Sequence, residues 1–100
     1  MALTLQFSDE ARQELLGAID YYEDKQKGLG LRFNKVVNQT INNIVAFPKS
    51  FPVVYGNKRK AIVKHYPYVV IYEYEVKDDV LYILSIFHTR QDPSIWKGRK

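Results

Sequence analysis

A largely apolar stretch near the C-terminal end of the sequence leads into a histidine. Val80-Leu-Tyr-Ile-Leu-Ser-Ile-Phe-His88-Thr-Arg90-Gln-Asp-Pro93-Ser-Ile-Trp96 opens without a polar break and then delivers His88 and Arg90 at its exit. Imidazole moves protons near neutral pH, and guanidinium holds a phosphate through paired hydrogen bonds. Two residues apart on an extended chain, the two side chains point to one side. Such a pair suits phosphodiester cleavage in which RNA supplies its own 2′-hydroxyl as nucleophile. That reaction needs a base, an acid and cations around the phosphate. The competing reading is a strand-end histidine hydrogen-bonded to backbone, beside a surface arginine.

Lys58, Arg59, Lys60 and Lys64 form the densest basic cluster. They could neutralise phosphates or receive an acidic partner segment. Equally, they could be charges that protect a strand from aggregation. Lys64 is the lysine to set beside His88 and Arg90 as a catalytic candidate. Lys58, Arg59, Lys60, Tyr68 and Trp96 are the binding candidates. The chain holds eight tyrosines, of which Tyr55, Tyr66, Tyr68, Tyr72 and Tyr74 fall near or on strand patterns. Aromatic and basic residues together can stack bases and bind phosphates. Sheet tyrosines more often serve as core or cross-strand partners, and that reading is preferred. Trp96 is expected to anchor the C-terminal segment on the sheet. No Gly-rich phosphate loop and no Gly-x-Ser-x-Gly elbow is present. With two histidines and no cysteine, no metal-ligand spacing can be drawn, so neither metal nor cofactor is expected.

These residues need elements to hold them. Leu3, Leu5 and Phe7 alternate with polar neighbours, as a half-buried strand does. Ser8 is a good N-cap with Asp9 and Glu10 behind it, and Ala11, Leu15, Ala18 or Ile19, and Tyr22 recur at helical spacing. That predicts a helix from Asp9 to about Asp24. Gly28 and Gly30 allow a sharp reversal. Leu29, Phe33, Val36 or Val37, Ile41 and Ile44 then stripe a second helix that Pro48 ends. Lys58 to His65, Tyr68 to Val76 and Val80 to Phe87 read as strands, with Lys77-Asp78-Asp79 as a hairpin turn. The order β-α-α-β-β-β predicts an α+β fold, an antiparallel sheet with a helical hairpin packed on one face. The other face should then stay partly open, with tyrosines, basic side chains of the Lys58–Lys64 strand and the exit of the last strand near it.

One hundred residues make one domain spanning 1–100. No run spans a bilayer and the N-terminus lacks a signal pattern, so the cytoplasm is the expected location. Net charge is +4, and its distribution says more than its sum. Through Asp24 there are six acidic residues and one basic residue, Arg12. From Lys25 to Lys64 there are nine basic residues and no acidic one. Segregation of this kind sets one acidic surface beside one basic surface and points to a polyanion or an acidic protein partner.

Ala18-Ile-Asp-Tyr-Tyr22, Gly28-Leu-Gly-Leu-Arg-Phe33 and Phe47-Pro48 resemble the helical half of the RelE/ParE toxin superfamily. Lys64-His-Tyr-Pro-Tyr-Val-Val-Ile-Tyr72, Ile86-Phe-His-Thr-Arg-Gln-Asp-Pro93 and Trp96 resemble its strand half. The resemblance implies the toxin of a type II toxin–antitoxin pair of the plasmid stabilisation kind, neutralised by a cognate antitoxin. It leaves the target open. RelE-like members cut messenger RNA inside the ribosome with sheet lysines and arginines and a C-terminal aromatic or histidine. Lys60 or Lys64, Arg90 and Trp96 fall near those positions. Val69 stands where an arginine is often found, and Trp96 where a tyrosine is, and an indole cannot exchange a proton as a phenol does. ParE-like members poison DNA gyrase by binding it and need no catalytic set, which the departures favour. A metal-independent ribosome-dependent endoribonuclease is the enzymatic alternative. An inactive relative that only binds antitoxin is another.

Overall fold

The structure is a computed structural model that describes residues 3–100. Its elements are β1 (Thr4–Phe7), α1 (Asp9–Lys25), α2 (Leu29–Ala46), β2 (Val53–Tyr55), β3 (Lys58–Val63), β4 (Tyr68–Glu75), β5 (Val80–His88) and α3 (Ser94–Lys97). One five-stranded sheet runs in the order β1-β5-β4-β3-β2. The strands from β2 to β5 form an antiparallel meander, as the short connections require. The α+β fold and the helical hairpin agree with the sequence reading. Two details differ. β1 pairs with β5 in parallel, because the hairpin carries the chain away before the sheet resumes. The three residues of β2 add an edge strand too short to leave a periodic pattern.

Local chemistry sets the helix ends. Ser8 Oγ accepts the Ala11 N–H at 3.0 Å and starts α1. Gly28, at φ 88°, opens α2 without a capping side chain of its own. Glu23 takes that role, its carboxylate accepting the Gly28 N–H at 2.9 Å and the Gly30 N–H at 3.1 Å. At Gly30 the two helices touch, and a Cβ there would lie 2.5 Å from the Ile19 carbonyl oxygen. The main core lies between hairpin and sheet, where Phe33, Val37 and Ile44 meet Val70, Tyr72 and Ile83.

β5 explains its own unbroken apolar run. Its register steps from Ile71↔Ser85 to Tyr72↔Ile83, leaving Leu84 as an extra residue. Leu81, Ile83 and Ile86 therefore belong to the core under the helices. Leu84 and Phe87 join Val69, Ile71 and Trp96 in a second cluster on the opposite face. β1 accompanies β5 only as far as Ile83, so side chains complete the edge beyond it. Glu14 Oε1 accepts from Ser85 Oγ at 2.9 Å and the Ile86 N–H at 3.2 Å. Arg99 donates to that same oxygen and to the Leu84 carbonyl, each at 3.0 Å.

Candidate partner-binding faces

β5 ends at His88, and the chain turns at once. The Arg90 N–H donates to His88 Nδ1 at 3.1 Å, and the His88 N–H donates to Gln91 Oε1 at 3.1 Å. The extended geometry expected to project His88 and Arg90 to one side is therefore absent, because a turn begins where that extension was needed. With Nδ1 accepting, a neutral ring carries its proton on Nε2. The imidazole stands edge-on to Tyr68, with centroids 5.0 Å apart. It borders a groove of about 570 Å³ on the helix side of the sheet, with Glu14, Tyr21, Tyr22, Tyr68 and Gln91. Burial, then the neighbouring phenols, pushes the Tyr22 hydroxyl above its usual pKa, and burial followed by Tyr21 does the same for Tyr68. Both remain protonated donors at neutral pH.

Two members of the basic cluster are engaged inside the fold. Lys58 Nζ meets Glu73 Oε2 at 2.9 Å with both side chains largely covered. Arg59 donates to the Phe51 carbonyl at 2.6 Å and the Lys49 carbonyl at 3.2 Å, tying the loop after α2 to β3. Neither is the free cation that the sequence suggested. Lys64 lies past the end of β3 and lines a depression with Val36, Thr40, Asn43 and Phe51. That depression shares no lining residue with the groove at His88. Arg90 lines neither of these two cavities.

The preferred reading of the sheet tyrosines as core partners agrees with the structure: Tyr66, Tyr68 and Tyr74 pack against the main core on the helix side and Tyr72 is buried within it, so these four do not reach the open face where several tyrosines were also expected. Tyr72 Oη donates to the Pro48 carbonyl at 2.8 Å. Burial pushes its phenol up to about 12, with the Arg59 charge opposing.

Lys60 and Lys64 are the cluster members in no ion pair with the described residues, and Lys60 lies on the face away from the helices. With Val69, Ile71, Phe87, Trp96 and Lys97 it lines a depression of about 410 Å³. Trp96 is 5% exposed and packs edge-on against Phe87, centroids 5.9 Å apart, so it anchors the C-terminal segment as expected. Its Nε1–H is buried with no acceptor among the described residues. Lys97 Nζ sits 5.1 Å over the Tyr55 ring. Sequence reasoning passed over Glu14 and Lys97. Glu14 stands on the stripe of Ala11 and Ala18, where a carboxylate needs buried partners, and that signal was legible. Lys97 carried none beyond its place beside Trp96. Among the described residues no three His, Cys, Asp or Glu side chains converge as a metal site, and no helix is long and apolar enough to cross a membrane.

Known proteins give this geometry a family. A family model described as the ParE toxin of the type II toxin–antitoxin system parDE matches residues 5–93. The chain belongs to the ParE toxin family. A solved chain of the chromosomal ParDE TA system from P. aeruginosa shares its fold, with a TM-score of 0.76 over 88% of this chain and 97% of that one, at 13% identity. No curated protein sequence matches this ParE-family chain.

Proposed function

We propose that this ParE-family toxin acts in the cytoplasm, inhibits growth by binding a large target, DNA gyrase ahead of the ribosome, and is neutralised by a cognate antitoxin protein. The observation that carries the reading is at His88. Its Nδ1 is occupied by the Arg90 N–H, and it borders a different cavity from Lys64. General acid–base cleavage needs base, acid and phosphate cations within hydrogen-bond reach of one substrate. Binding needs only surface, and two concave faces are available. The test is supercoiling by purified gyrase with increasing amounts of this protein. Loss of supercoiling with linear plasmid trapped on the enzyme is expected. Full gyrase activity at doses that arrest growth would reject gyrase as the target.

The ribosome-dependent nuclease is kept as the second reading for one reason. Lys60 and Trp96 line one depression, and Thr89, next to Arg90, lines it too. In that reading His88, Arg90 and Lys64 are the residues to test.

A further inference from the structure

We propose that the outer face of α2 is a docking surface for duplex DNA. Arg32 and Lys64 meet the phosphates of one strand, and Lys35, Asn38 and Asn42 turn toward base edges in the major groove. The inference goes beyond the choice between gyrase and ribosome and rests on neither.

Position comes first. Leu31, Lys35, Asn38 and Asn42 recur at helical spacing and form one row along the exposed side of α2. Arg32, Gln39 and Asn43 form a second row beside it. Gln39 and Asn43 also line the depression that holds Lys64, so the second row continues into that lysine. All of these residues are exposed. The charge is one-signed. No Asp or Glu lies on α2, and Arg32, Lys35 and Lys64 are in no ion pair with the described residues. Glu23, near the end of α1, is held against the Gly28 and Gly30 N–H groups. Closely set cations without internal partners attract a polyanion.

The amides select which polyanion. α2 carries Asn34, Asn38, Asn42 and Asn43 beside Gln39. Asparagine is a weak helix former, and a face that met only water would favour Glu, Lys or Ala. Thr40, on the buried side, has its partner in the Val36 carbonyl at 2.9 Å. Asn38, Gln39, Asn42 and Asn43 face outward instead. Asn and Gln pair with the adenine edge through two hydrogen bonds, and Arg or Lys pairs with guanine. The B-form major groove, about 12 Å wide, admits a helix, whereas the A-form groove of duplex RNA is too narrow for side chains to read. A single strand is bound by stacking on aromatic rings, and neither row contains one.

The test is fluorescence anisotropy with a labelled, A·T-rich DNA duplex of about two helical turns, titrated between ~0.05 and ~0.2 M salt. Duplex RNA and single-stranded DNA of the same sequence, and a poly-glutamate peptide, are titrated beside it. Saturable binding of duplex DNA is expected, about tenfold tighter than that of any other probe. Arg32→Gln/Lys64→Gln should weaken it and lower the slope of log affinity against log salt by about 2. Asn38→Ala/Asn42→Ala should weaken it about tenfold with the slope unchanged. No binding of duplex DNA at the lowest salt overturns the proposal, as does equal binding of duplex RNA or of the single strand. Tighter binding of poly-glutamate would mark the face as one for an acidic protein and overturns it too. So does unchanged affinity in either variant, with thermal melts checking that each is folded. The comparison of probes on the unaltered chain decides the matter even if a variant fails to fold.

Discussion

A single oxygen of Glu14 joins three parts of the chain, accepting from Ser85, from the Ile86 backbone and from Arg99. Removing it strands a backbone donor and a largely buried guanidinium. Glu14→Ala is therefore expected to cost about 2–3 kcal/mol, seen as a drop of roughly 10–20 °C in thermal midpoint. Calorimetry checks this, and Glu14→Gln, which keeps an acceptor, should lose less. Tyr72 gives a pH signature. Its folded-state pKa of about 12 lies above the ordinary 10.0, so the native state holds the proton more tightly. The stability this supplies is complete below pH 10 and is lost as pH rises toward 12. Chemical denaturation from pH 9 to 12 should show a loss of up to about 3 kcal/mol that Tyr72→Phe removes. At this scale the sequence offered residue types but not their occupations. Lys58 and Arg59 read as free cations, and what engages them comes from strands and loops distant in the chain.

Elements were more legible, because helix stripes and caps are local. Asp9 to about Asp24 and the helix from Leu29 were readable from apolar spacing, Ser8 and the glycines. What stayed hidden was non-local. A strand's pattern does not record the direction of its neighbour, so β1 was legible and its parallel pairing was not. The extra residue at Leu84 shifts the phase of β5 midway, which a continuous apolar run conceals. The glycines offer a paired test of the helical hairpin. Gly30→Ala drives a Cβ to 2.5 Å from a backbone oxygen and should cost about 1–3 kcal/mol. Gly17 lies in the same hairpin with nothing within 4 Å, so Gly17→Ala should stabilise by about 0.5–1 kcal/mol through helix propensity. Thermal melts of the two variants read opposite signs if the interhelical contact is as described.

At the scale of the whole molecule, the charge pattern seen in the sequence survives with fewer free cations. Lys58 is neutralised within the sheet, while α1 carries Asp9 and Glu10 in its first turn. Long-range attraction acts mainly on encounter, not on residence. Association with a cognate antitoxin should slow about tenfold between ~0.05 and ~0.5 M salt while dissociation changes little, as stopped-flow mixing would show. The family membership was legible in the order of motifs from Ala18 to Trp96. The site was only partly so, since His88 was visible as a strand-end residue but the turn that occupies its Nδ1 was not. The proposal that this toxin works by binding excludes message cleavage. The most direct measurement is primer extension on messenger RNA in a reconstituted translation system containing this protein. Messages left whole at growth-arresting doses are the predicted result. New 5′ ends inside translated codons, lost in Arg90→Ala and His88→Ala, would contradict it.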